Sequence, residues 1–246
     1  MKYVLLLITA LSFVFVACSD DSPSEVSDAD IEFTLGTMTD SRDGQTYKTV
    51  MIGSQTWMAE NLNYAYTGIA YSTPAFISDS TSWCYRNMES YCEVYGRLYT
   101  WSAAMDSAGL VSEANGVVAC GTDKKCKPNK PHQGICPEGW HVPTQSEYDA
   151  LYKKIGGEKI AGFKLKSTTG WAENGNGIDA VAIDIKPAGI RYDDGIYEGM
   201  NGSATLLSAS EHEIGGAYVQ RFIKTGVVYP QPFSKSQGAS LRCLKD

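Results

Sequence analysis

Six cysteines, at 84, 92, 120, 126, 136 and 243, constrain this chain more than any other feature. They follow an apolar leader, and an even number in an exported chain reads as a disulfide framework. Six cysteines allow 15 pairings, so number alone leaves the connectivity open. Cys84–Cys92 and Cys120–Cys126 would close short local loops. Cys136–Cys243 would tie the stretch before a helix to the last strand, and closing so long a loop is worth about 4 kcal/mol in the chain-entropy model. The competing reading is zinc, because Cys120, Cys126, His132 and Cys136 form a C-x5-C-x5-H-x3-C array. Structural zinc sites are usually spaced more tightly, and an oxidising compartment favours disulfides. Three disulfides, no metal and no cofactor are therefore expected.

The compartment is read from the first residues. Lys2 supplies a positive start, and Val4 to Ala17 are apolar. A membrane-spanning helix needs about 20 such residues, so this shorter stretch suits the core of a signal peptide. It ends in Phe15-Val16-Ala17-Cys18, followed by Ser19, Asp20 and Asp21. The segment resembles a bacterial lipobox, with Ala17 before a lipidated Cys18, although Phe15 stands where Leu is usual. The expected layout is a lipoprotein signal peptide over 1–17 and an acidic flexible tether over 18–32. Repulsion among Asp20, Asp21, Glu25, Asp28 and Asp30 would extend that tether. Several acyl chains on Cys18 would give stable anchoring to the membrane, here the outer membrane, facing the periplasm or the cell surface. The formal net charge is −7 and no Lys/Arg cluster is present, which argues against a nucleic-acid partner.

Residues 33–246 read as a single domain, within the length one core can absorb. The 24 Gly and 15 Tyr suit strands and tight turns better than a helix-only fold. Thr46–Ile52, then Gly53-Ser54, then Gln55–Met58 predict a hairpin with a two-residue turn. Asp40-Ser41-Arg42-Asp43-Gly44 before it is a turn cluster. Thr144-Gln145-Ser146-Glu147 is a capping box, followed by Tyr148, Leu151, Tyr152 and Ile155 on one helical face and ended by Gly156-Gly157. A second helix is expected over 98–108, a hairpin turn at Asp193-Asp194-Gly195, and a final strand over Ser240–Leu244. Strands at both ends with two helices between them predict an α+β fold.

Catalytic motifs are missing: there is no G-x-S-x-G elbow, no G-x-x-x-x-G-K and no H-E-x-x-H. Ser210-Glu211-His212 are merely adjacent. The carboxylate pairs Asp193/Asp194 and Glu211/Glu213 read as solvated loop acids, and His141 and His212 as ordinary polar side chains. Trp57, Trp101 and Trp140 sit in regular contexts and read as core. Trp171 lies in Thr169-Gly170-Trp171-Ala172-Glu173-Asn174-Gly175-Asn176-Gly177, too rich in Gly and Asn for regular structure. It fits either a sugar platform or a plug packed back onto the domain.

Five segments in order resemble the Fibrobacter succinogenes major paralogous domain: DGQTYKTVMIGSQTWMAENLNYAY, WCYRNMESYCEVYGRLYTWSAAM, GICPEGWHVPTQSEYDAL, KPAGIRYDDGIYEGMNGSATLLSAS and SLRCLKD. GWHVPTQSEYDAL is also similar to the R-L-P-T-E-A-E-W-E-Y-A segment of formylglycine-generating-enzyme-like domains. That likeness implies a C-type-lectin-like twisted antiparallel sheet with two main helices. The reactive copper-binding cysteine pair of those enzymes has only Cys243 as a counterpart, and the Glu-Pro-Asn and Trp-Asn-Asp calcium signatures of sugar-binding lectins are absent. The fold carries over and neither activity does. The paralogous family implies variable display on a fixed scaffold. In C-type-lectin-like folds the irregular loops gather on one side, which here implies that Trp171–Ile178 neighbours the turn Arg191–Tyr197. Trp171, Tyr192 and Tyr197 would then offer rings, and Asn174, Asn176, Asp193 and Asp194 hydrogen-bonding groups, to a sugar. The expected function is a non-enzymatic, lipid-anchored envelope protein for adhesion or recognition, with plant-fibre polysaccharide or an envelope protein as partner. The alternatives are a carbohydrate-active or degenerate formylglycine-generator-like enzyme, and a structural envelope component binding other proteins.

Overall fold

Alternating buried and exposed side chains along Thr46–Ile52, then Gly53 at φ 61°, turn the chain back on itself. That left-handed position is open to glycine and is what a two-residue hairpin turn requires. The computed structural model describes residues 31–72, 77–111, 120–121, 124–126 and 128–246, so Cys18 and nearly all of the tether lie outside the described residues. Strands β1 (Phe33–Thr39), β2 (Thr46–Ile52) and β3 (Gln55–Met58) come first, with Val50 opposite Trp57. A ribbon of β4 (Thr67–Ser72) and β5 (Ile77–Ser80) leads to β6 (Ser82–Trp83), helix α1 (Glu89–Tyr95), β7 (Leu98–Tyr99) and the short helix α2 (Trp101–Ala104). Next come β8 (Trp140–His141), helices α3 (Gln145–Lys154) and α4 (Glu158–Leu165), and the hairpin β9 (Ala188–Arg191) and β10 (Tyr197–Met200). The meander β11 (Ala204–Glu213), β12 (Gly216–Phe222) and β13 (Val228–Ser234) precedes the short strands β14 (Ala239–Ser240) and β15 (Leu244–Lys245).

One sheet runs β1-β2-β3-β15-β8, and a larger one runs β10-β9-β11-β14-β7-β6 with β12 and β13 added on β11. This is an α+β arrangement, mostly sheet with four helices among the described residues. Two apolar clusters fill it. One surrounds Tyr99, Trp101, Leu207, Val219 and Leu241, and the other gathers Trp57, Tyr148, Tyr152, Leu165, Trp171 and Phe222. Trp57, Trp101 and Trp140 are all buried.

Helix α3 forms as its residues dictate. Thr144 accepts from the Glu147 amide while Glu147 Oε2 accepts from the Thr144 amide at 2.7 Å, closing the capping box. Tyr148, Leu151, Tyr152 and Ile155 are buried, with the Tyr148 ring 5.0 Å from Trp57. Each such side chain contributes about 1.5–3 kcal/mol on burial, more than the cap itself at about 1 kcal/mol.

The cysteines pair as Cys84–Cys92, Cys120–Cys126 and Cys136–Cys243. The C-x5-C-x5-H-x3-C array is thereby dismantled, and His132 Nε2 meets the Met105 carbonyl at 2.9 Å instead. The grouping of metal-ligand type found among the described residues, Cys84, Glu89 and Cys92, has its two sulfurs bonded to each other.

Two expected elements differ. The helix over 98–108 is a strand followed by one helical turn. Leu98 and Tyr99 pair with β6 on one side and β14 on the other, and those ladders hold the backbone extended. Thr100 then caps α2, and Asp106 at φ 48° ends the turn. The last strand is likewise split, because the chain crosses between sheets: β14 joins the larger and β15 the smaller. Arg242 anchors the crossing, its buried guanidinium donating to Asn61 Oδ1 and to the carbonyls of Ile183 and Asp184.

Candidate functional site

Trp171 is a plug. Its ring is 6% exposed, its Nε1 donates to Ser167 Oγ at 3.0 Å and the Ile185 carbonyl at 3.1 Å, and Lys166 Nζ stands 4.8 Å from the ring centroid. Asn176 Oδ1 accepts from the Trp171 amide, so Asn176 closes the loop. Asn174 is exposed at φ 58°. With the ring buried and the Lys166 ammonium over it, Trp171 presents no open platform for a sugar.

The seven residues also do not share one face. The Ala172 amide donates to the Asn201 carbonyl at 2.7 Å, which sets the Trp171 loop at the Asn201 end of the β9–β10 hairpin. Tyr192, Asp193 and Asp194 occupy the turn at the opposite end, where Asp194 accepts from the Ile196 amide. Tyr192 lies on one face of the hairpin, where the Glu198 carboxylate raises its pKa above the ordinary value. Tyr197, opposite Arg191, lies on the other.

That second face carries an aromatic pocket of about 430 Å³, lined by Tyr85, Arg86, Tyr91, Tyr197, Glu198 and Asn201. The Cys84–Cys92 disulfide closes the loop that supplies the first three. Tyr85 stands 5.5 Å from Tyr91 and 5.2 Å from Tyr197, and Tyr91 stands 6.3 Å from Tyr95. Gly189 permits this approach, since a Cβ there would lie 2.9 Å from the Tyr85 ring and 2.4 Å from the Glu198 carbonyl. Arg86 and Asn87 are consecutive left-handed residues at φ 55° and 57°. Such conformations cost non-glycine residues free energy and gather at binding sites. Asn87 Oδ1 accepts from the Tyr197 hydroxyl at 2.7 Å, joining loop to hairpin. Below, the buried Arg191 guanidinium stacks 3.9 Å from the Trp83 centroid and 5.8 Å from that of Tyr197. Of the residues expected to bind, Tyr197 alone lines this pocket. Sequence reasoning missed Tyr85 and Tyr91, although tyrosines beside a locally paired Cys84 and Cys92 were a usable signal.

A second cleft, of about 970 Å³, lies beside the start of α3. His141 is not an ordinary polar side chain there. It is buried, with Nδ1 2.7 Å from Asp246 Oδ1 and Nε2 3.1 Å from Glu147 Oε1. Burial opposes its charge, but bonds to Glu147 and Asp246 outweigh that and raise its pKa above the ordinary 6.5. Burial likewise opposes the Glu147 charge, and His141 with the Thr144 cap overcomes it, holding this carboxyl at about 2. Glu211 is not a solvated loop acid either: it pairs with buried Lys235 and accepts from the Cys126 amide at 2.9 Å. His212 is exposed, with its ring edge-on to Tyr218.

No curated protein and no solved structure matches the chain. Residues 50–245 match the family model of the Fibrobacter succinogenes major domain, a span holding the disulfides, the capped helix and the aromatic pocket. The chain belongs to that family.

Proposed function

We propose that this protein is a non-enzymatic, lipid-anchored envelope protein whose domain recognises polysaccharide outside the cell. The lipobox-like Cys18 and the acidic tether supply the anchor and the reach. The arrangement of strands and helices is read as C-type-lectin-like, a scaffold on which surface loops vary. The observation that carries recognition is the cluster of Tyr85, Tyr91 and Tyr197, formed where a disulfide-closed loop meets the β9–β10 hairpin. Tyrosine rings present apolar faces to sugar C–H groups and keep a hydroxyl in water. Cys18→Ala should release the protein from membranes or block its processing. Unchanged attachment without lipid mass on the N-terminal peptide refutes the anchor. Pull-down of the full chain on insoluble plant fibre, together with a glycan array, tests recognition, and blanks in both refute it.

The enzyme reading has one favouring observation, the buried His141 in a roomy cleft. Both ring nitrogens are engaged by carboxylates, and Glu147 also serves the helix cap, which ties this group into the fold. Turnover on a polysaccharide panel, lost on His141→Gln, would promote it.

A further inference from the structure

The pocket on the Cys84–Cys92 loop carries a charge that a neutral glycan would not use. Arg86 is exposed, its guanidinium carbon stands 5.8 Å from the Tyr85 centroid, and it makes no hydrogen bond or ion pair among the described residues. Its neighbour Asn87 is tied to Tyr197, and both residues hold left-handed backbone inside a loop closed by a disulfide. The Arg86 backbone is therefore fixed before any ligand arrives. Glu198 also lines the pocket, but it follows Tyr197 on the strand, and strand alternation directs its side chain to the face opposite the Tyr197 ring. A planar guanidinium beside aromatic rings matches a ligand with a carboxylate on an apolar-faced ring.

We propose that the pocket between Tyr85, Tyr91 and Tyr197 takes a hexuronic-acid residue, its ring against the tyrosines and its carboxylate on Arg86. This rests on the polysaccharide reading above and names the sugar class. The formal net charge of −7 opposes long-range capture of a continuous polyanion, so the fitting ligand is an isolated uronate branch on a neutral chain.

The test titrates the full chain in neutral detergent with an oligosaccharide bearing one uronic acid, and with its methyl ester. The acid should bind about tenfold or more tightly than the ester, as a charge-assisted pair adds to a common stacking contribution. In Arg86→Gln that preference should collapse to near unity, and Arg86→Lys should restore part of it. Tyr197→Ala should weaken acid and ester alike. Equal affinity for acid and ester in the unmodified chain overturns the proposal. Glycan binding that survives Tyr91→Ala and Tyr197→Ala moves the site elsewhere and overturns the pocket, while leaving polysaccharide recognition standing. If neither oligosaccharide nor any glycan on an array binds, the recognition reading itself falls.

Discussion

The Trp171 loop and the Cys84–Cys92 loop use similar means to opposite ends. Each holds two consecutive left-handed non-glycine residues, Glu173-Asn174 in one and Arg86-Asn87 in the other. Each carries aromatic rings. The first loop turns its ring inward, where the indole N–H is satisfied by Ser167 and Ile185. The second buries Tyr85 but leaves Tyr91 half-exposed over a pocket that Tyr197 of the hairpin completes. Irregular backbone therefore says only that a segment leaves regular structure. Which way its ring points is decided by where the polar atom of that ring finds a partner.

The largest effect expected from this contrast is at Trp171. Trp171→Ala should cost about 3–5 kcal/mol, the range for deleting a buried aromatic, with no specific effect on glycan binding by the folded fraction. Chemical denaturation with an unchanged m-value would check it. A near-neutral result would place the ring outside the core and erase the difference between the loops.

Removing the Cys84–Cys92 cross-link by paired substitution to Ser should cost less, about 2 kcal/mol, because the closed loop is short. Its effect on ligand affinity should exceed its effect on melting temperature, since the loop positions Tyr85, Arg86 and Tyr91. If affinity is retained, the cross-link is simply structural and the loops differ less than their geometry suggests.

The His141 bridge touches neither loop and gives a control. Glu147 has a lowered pKa when folded, so its contribution is present above about pH 4.5 and is lost as pH falls toward 2. His141 has a raised pKa when folded, so its contribution is present below about pH 6.5 and is lost as pH rises through the folded value. Stability from this bridge should peak between those two values. Its size is on the order of 1–2 kcal/mol, since Glu147 is partly solvated. Melting curves across pH should flatten in His141→Gln and keep their shape in variants of either loop. A maximum that survives His141→Gln would assign the pH dependence to other groups.

Apart from the Cys136–Cys243 pairing, what the sequence made legible was local. The turn at Gly53-Ser54, the Thr144–Glu147 box and the two short disulfides each depend on residues within a few positions. The rest depended on distant partners. Tyr99 is a strand residue because Ser82 and Ala239 flank it. His141 becomes a bridge because Asp246, 105 positions away, meets it. Trp171 is buried because Ser167 and Ile185 accept its proton. The hairpin turn at Asp193-Asp194-Gly195 was readable, but not that Tyr197 would meet Tyr85 across more than a hundred residues.

The smallest effect is also the sharpest probe of the second loop. Tyr197→Phe removes only the hydroxyl that Asn87 Oδ1 accepts, at a half-exposed position where water can replace it. Stability should fall by about 0.5–1 kcal/mol or less. The ring remains to stack, so loss of affinity would report on the loop's position rather than on lost contact area. With Asn87 untied, the left-handed Arg86-Asn87 pair loses its link to the hairpin and Arg86 is held less firmly. The preference for a carboxylate-bearing sugar over its ester should then shrink several-fold more than affinity for the ester does. A uniform loss on both ligands would mean that the hydroxyl contacts the sugar directly. A stability loss as large as that of Trp171→Ala would mean that Tyr197 is a core residue, and the two loops would then be doing the same thing.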